Sequence, residues 1–225
     1  SAEITKNSAY TLKGDLTGKT VTVKNNAVVT LVLDGVTMSG AASPLRLAEG
    51  ASVTLIVKDG TTNTITCTAA AADTTNNGMT AGISVPEGTV LTIDTPDGGA
   101  GDGKLTVNGG YGGAGIGGGA GVGTATERGR LVDGIVQAYG SNTHRAESKS
   151  VPGADPKIAQ SGFNGKNGGD AGKVAIKSGV VSATGGTGAA GIGGGAGSSG
   201  TAGEQGDNGN TGGNGTYAYV SNHGW

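Results

Sequence analysis

Val29-Thr30-Leu31-Val32-Leu33 returns as Val53-Thr54-Leu55-Ile56-Val57, an offset of 24 residues. Both runs are rich in β-branched residues and alternate with a period of two, the pattern of a strand with one buried face. A second echo follows. Glu49-Gly50-Ala51-Ser52-Val53-Thr54-Leu55 resembles Glu87-Gly88-Thr89-Val90-Leu91-Thr92-Ile93, with the strand residues offset by 38. Similar strands at such offsets predict stacked coils of about two dozen residues, with a loop such as 69–82 enlarging one of them.

Working outward, Val21-Thr22-Val23, Thr64-Ile65-Thr66-Cys67-Thr68 and Leu105-Thr106-Val107 are further short β runs, and no stretch has the periodicity of an amphipathic helix. The pattern therefore predicts an all-β chain, a right-handed parallel β-helix, with a two-sheet sandwich as the alternative that regular short strands alone leave open. The theme continues past Gly98. Lys104-Leu105-Thr106-Val107-Asn108 leads into Gly113-Ala114-Gly115-Ile116-Gly117-Gly118-Gly119, and a second copy, 76 residues on, leads into Ala189-Ala190-Gly191-Ile192-Gly193-Gly194-Gly195.

Glycine adds a different period. It occupies every third position from Gly185 to Gly215, and the same register runs through Gly109, Gly112, Gly115, Gly118 and Gly121, with a shorter echo at Gly162, Gly165 and Gly168. Three residues per turn belongs to polyproline II, where glycine leaves an edge free of side chains and lets backbones approach closely. These segments are expected to be polyglycine II-like rods of one bundle. At roughly 3.1 Å per residue the 185–215 run would span about 96 Å if straight, against a radius of gyration of about 17 Å for a compact chain of this length. It must fold back, and Asp207-Asn208-Gly209-Asn210 has the turn chemistry to do so. Collagen needs proline in the remaining positions, and this run has none.

Of the 49 glycines only nine precede Gly98, so the chain is expected to divide into β-helical rungs over 1–108 and a continuous glycine-rich region over 109–225. A polar excursion at 124–166 interrupts the latter, with Glu127-Arg128-Gly129-Arg130, His144-Arg145-Ala146-Glu147, Pro152 and Pro156. It reads either as a solvated loop with local ion pairs or as a functional loop on a rigid scaffold.

With 34% hydrophobic and 3% aromatic residues, the fold must lean on backbone hydrogen bonds and small-residue packing. A net charge of −2 with scattered Lys and Arg gives no electrostatic footprint for nucleic acid and no basic membrane-binding helix. No apolar run of membrane-spanning length is present. The lone Cys67, in an alternating run, is expected to be a buried small residue. The start at Ser1-Ala2 suggests a processed or trimmed chain.

Motifs for catalysis are weak. Gly113, Gly115 and Gly118 match a dinucleotide fingerprint that opens no helix, and Gly18-Lys19-Thr20 lacks the earlier glycine of a phosphate loop. His144 and His223 have no nucleophile context. Asp94, Asp97 and Asp102 flank a glycine-rich loop and form the best candidate metal site, of a kind that suits calcium, beside the plainer reading of a turn. For a sugar ligand, aromatic faces that stack on pyranose rings matter most. The candidates are Tyr111 and Tyr139, which could share a groove, and Tyr217, Tyr219 and Trp225 near the C-terminus; the same rings could instead cap an apolar edge. Asn214-Gly215-Thr216 fits a glycosylation acceptor.

Strand, Gly-Gly and Gly113-Ala114-Gly115-Ile116-Gly117-Gly118-Gly119 together resemble the repeats of large bacterial cell-surface proteins with right-handed parallel β-helices. Rungs such as Val28 to Met38 and Val53 to Ile65 are similar to those of secreted β-helical carbohydrate-binding domains. These resemblances imply a secreted or cell-surface, non-catalytic scaffold that binds a polysaccharide or a surface receptor, with self-association open. The glycine period also resembles the polyglycine II tip domains of bacteriophage tail-fibre adhesins, which would place the chain on a virion. A polysaccharide-degrading enzyme is a further alternative, although the 17 acids single out no catalytic pair. Ice binding would require regular outward Thr ladders, and the Thr positions are only partly regular.

Overall fold

The computed structural model describes residues 1–71, 79–96, 101–121 and 167–198. All of them belong to the unit built from Ser1–Thr124 and Gly165–Ser199; the chain's other unit, Ala125–Asn164 with Gly200–Trp225, lies outside the described residues. The described residues are all β. In chain order the strands are β1 (Ala2–Ile4), β2 (Ala9–Asp15), β3 (Val21–Val23), β4 (Val28–Gly40), β5 (Leu45–Leu47), β6 (Ser52–Val57) and β7 (Thr62–Cys67). There follow β8 (Ile83–Ser84), β9 (Val90–Asp94), β10 (Lys104–Asn108), β11 (Ile116–Gly117), β12 (Lys173–Ile176), β13 (Val180–Thr184) and β14 (Ile192–Gly193).

Every pairing between these strands is parallel, which sets aside the antiparallel sandwich. A first sheet runs β1-β3-β5-β8-β11-β14, and a second, curled sheet runs β12-β9-β6-β4-β7-β10-β13 with β2 against β4. From β5 onward the chain visits the first sheet once and then the second twice, and repeats the circuit; before that a single strand, β2 or β4, makes the visit to the second sheet. The sequence offsets are the strand registers themselves. Val29 pairs with Val53, Val53 with Leu91, and Leu105 with Val181, which are steps of 24, 38 and 76 residues.

Period-two alternation sends one set of side chains inward, and the in-register stacking lays like upon like. Leu31, Leu55 and Ile93 form one buried column, Leu45, Ile83 and Ile116 another. Each such side chain contributes roughly 1.5–3 kcal/mol from burial. On the last described circuit the aligned Ile176 and Ile192 are 45% and 44% exposed, because no described strand covers them.

The corner between the two halves of the second sheet is held by Asn63, a wholly buried polar residue. Its Oδ1 accepts from the Val36 N–H at 2.9 Å, and its Nδ2 donates to Thr61 Oγ1 at 3.0 Å and to the Lys104 carbonyl at 3.2 Å. One amide thus ties three circuits and leaves none of its polar atoms unpaired. Cys67 is buried as expected, 3% exposed, and burial pushes its thiol pKa up.

The glycine register does not continue as an uninterrupted rod. Gly112 and Gly188 have φ of 63° and 76°, outside the polyproline II region, and Ile116–Gly117 and Ile192–Gly193 are strand. What the glycines provide is close approach. A Cβ at Gly118 or Gly186 would overlap the carbonyl of Gly169 or Gly110. The two glycine-rich copies stack through Ile116 N–H to Gly191 O (2.9 Å) and Gly118 N–H to Gly193 O (2.9 Å). The described residues run to Gly121 and resume at Asn167, and Gly169 N–H donates to Gly119 O at 2.9 Å, joining the two ends.

Candidate functional site

Across the outward face of the first sheet, one position on each strand lines up: Glu3, Thr22, Arg46, Ser84 and Gly117 are successive register partners. Neighbouring strands are about 4.8 Å apart, so the column is a ladder of polar groups with that step. It lies in an open groove of about 550 Å³, which Met79, Pro86 and Ala48 line with apolar atoms and Glu49 and Asp170 with carboxylates. Gly117, Gly118 and Gly119 contribute bare backbone.

Arg46 is the central group. Its Nε–H donates to the Ser43 carbonyl at 2.8 Å, which fixes the half-buried side chain across the sheet. Burial draws its pKa below the ordinary arginine value. No described carboxylate pairs with it, so the two Nη groups keep their donors for a ligand. Glu3, by contrast, is held by Lys24 Nζ at 2.8 Å. A planar fork of donors between hydroxyls and carboxylates suits a ligand dense in hydroxyl groups.

Of the aromatic candidates, Tyr111 alone is described. It is 48% exposed, its N–H is fixed to the Ala69 carbonyl at 2.8 Å, and it lines a pocket of about 140 Å³ with Gly112, Thr187 and Ala196. Ala120 borders both this pocket and the groove. Tyr139, Tyr217, Tyr219 and Trp225 lie outside the described residues, as does Asp97.

Asp94 and Asp102 stand at either end of the connection from β9 to β10, and each already serves the protein. Asp94 Oδ1 accepts from Ser178 Oγ and from the Thr95 N–H at 2.9 Å, and these bonds, the serine's first, hold its carboxyl pKa below the usual value. Asp102 Oδ1 accepts from the Gly60 N–H at 2.6 Å. The described residues contain no group of three His, Cys, Asp or Glu placed to hold a metal.

Thr22, Arg46 and Ser84 carry no motif, and the signal that finds them is the offset. Stepping 24 from Thr22 gives Arg46, and stepping 38 from Arg46 gives Ser84. No curated protein and no solved structure matches the chain. A family model described as "Carbohydrate-binding domain-containing protein" matches residues 1–190, which takes in every strand from β1 to β13. The chain belongs to this family of carbohydrate-binding domain-containing proteins.

Proposed function

We propose that this chain is a non-catalytic carbohydrate-binding module, secreted or held at a cell surface, that lays a polysaccharide or a surface glycan receptor in the groove of the first sheet. The observation that carries the reading is the Thr22–Arg46–Ser84 ladder with its free guanidinium donors. Its one-strand step is close to the length of a sugar unit, so an extended glycan crossing the strands would meet a fresh polar group at each residue. The family description, which names binding, supports the same view. Tyr111, beside the adjoining pocket, supplies an exposed ring for stacking.

The scaffold in this reading is a right-handed parallel β-helix whose glycine-rich segments pack in the manner of polyglycine II. In its favour are the repeated circuits, the all-parallel registers, the backbone bonds between the glycine copies, and the near-universal right hand of parallel crossovers. An adhesive role at a cell surface would use the same groove. Calcium is proposed only at Asp94, Asp97 and Asp102.

The test is a glycan array with insoluble-polysaccharide pull-down, run with calcium and with chelator, and with product release followed in parallel. Saturable binding weakened by Arg46→Ala places the ligand in the groove, and further loss on Tyr111→Ala extends the site. Chelator sensitivity would implicate the aspartates, and release of shorter glycans would refute a non-catalytic role. A folded chain that retains no glycan overturns the proposal.

A further inference from the structure

A second face of the molecule carries a regular two-dimensional array of seven hydroxyl groups and one amide, Asn108. On the half of the second sheet formed by the end of β4 with β7, β10 and β13, outward Thr37, Thr64, Thr106 and Ser182 are register partners in one ladder. Two residues along each strand, Ser39, Thr66, Asn108 and Thr184 form a second. No register shift interrupts either ladder. The sheet therefore fixes both repeats, about 4.8 Å between strands and about 6.6 Å between alternate residues of one strand.

Sequence alone hid this order, because the unequal lengths of the circuits space the residues at 27, 42 and 76 positions. The eight positions carry no charge; Asp15 on β2, the next register partner of Thr37, ends the first ladder, and Lys104 stands at the edge, two residues before Thr106. Some ladder members bond sideways, Asn108 Nδ2 to Thr66 Oγ1 at 3.2 Å and Ser39 Oγ to Thr17 Oγ1 at 3.3 Å. The hydroxyls of Thr37, Thr64, Thr106 and Ser182 have no partner among the described residues. None of the eight lines the groove or the Tyr111 pocket.

The geometry points to a face that binds the surface of an ordered solid, and of such solids to ice. A dissolved ligand gains from a concave site that buries most of its surface, whereas a repeating array of single hydroxyls matches only a partner with its own repeat. Hexagonal ice presents hydrogen-bonding oxygens at a repeat close to the step between strands. Threonine suits the task because its methyl group sheds disordered water beside a hydroxyl that joins the lattice, and a strongly hydrated charge would compete with that order.

The experiment measures freezing hysteresis and ice-crystal shape with the full chain, the double variant Thr64→Tyr/Thr106→Tyr, and Arg46→Ala, each checked for fold by circular dichroism. The expected result is faceted crystals and a hysteresis gap for the parent and for Arg46→Ala, both lost in the tyrosine variant. Thr64→Ala/Thr106→Ala, which removes hydroxyls without adding bulk, gives the same reading if the tyrosines impair folding. A folded parent that neither shapes ice nor depresses its growth overturns the inference. So does unchanged activity in folded ladder variants. Adsorption to a crystalline polysaccharide, lost in the ladder variants without any effect on ice, would overturn it in favour of a solid glycan surface.

Discussion

Replacing Gly118 by alanine tests whether the glycines are there for space or for conformation. Gly118 is buried with an ordinary φ, so alanine is locally acceptable, but its Cβ would overlap the carbonyl of Gly169. Backbone cannot swing aside as a side chain can, so the 118–119 and 168–169 segments must separate. Three bonds depend on that approach: Gly118 N–H to Gly193 O (2.9 Å), Gly169 N–H to Gly119 O (2.9 Å) and Gly195 N–H to Gly169 O (3.1 Å). At about 1 kcal/mol net each, their loss costs ~3 kcal/mol, which for a unit of this size lowers the unfolding midpoint by ~6–12 °C. Gly88 is the control, with φ of 80° but nothing within 4 Å of an added Cβ. There the left-handed conformation costs ~1–2 kcal/mol, partly offset by ~0.4–1 kcal/mol from the stiffer unfolded chain. The net of ~0–1.6 kcal/mol is a drop of at most ~6 °C. Thermal unfolding followed by circular dichroism compares the two. Equal shifts, or a Gly118→Ala protein within ~2 °C of the parent, would refute the close-approach argument.

Leu55→Ala empties the middle of a fully buried column and should cost ~2–5 kcal/mol, read from denaturant midpoints at unchanged slope. Arg46→Ala should raise the dissociation constant for a bound polysaccharide about tenfold or more, the loss of one charged hydrogen bond or so, with the melting temperature little changed. Asp94 has a lowered folded-state pKa, so its stabilising contribution is present above the ordinary aspartate value near 3.9 and is lost as pH falls through the folded value. Removing the principal cause with Ser178→Ala should flatten the acid limb of the stability profile below about pH 4, seen in denaturation midpoints across that range. Cys67, buried and with a raised pKa, should react with a thiol reagent at about pH 8 only after denaturant is added.

The long strands were legible because their inward residues alternate over five or more positions, and the repeat offsets carried the register without any structural input. Of the short strands of the first sheet only Val21–Val23 was. Leu45–Leu47, Ile83–Ser84 and Ile116–Gly117 are too brief for a period to register, and lateral pairing within the stack, rather than their own pattern, makes them strand. The glycine period was plain, but its meaning divided: Gly112 and Gly188 serve turns, while Gly118 and Gly186 serve contact. The groove is hidden in the sequence for a related reason, since its defining groups are an arginine and two hydroxyls, not aromatic rings, and their kinship lies only in the offsets.

The junction at Gly119 and Gly169 also bears on how such a chain can change over time. Because the two ends of the intervening segment are fastened to each other by the Gly169 N–H to Gly119 O bond, the stack on either side is indifferent to what is spliced between them. Lengthening an insert there costs only the slowly growing entropy of closing a longer loop, about 0.6 kcal/mol for each doubling. An insert at this position can therefore grow in length at little cost to the stack that carries it.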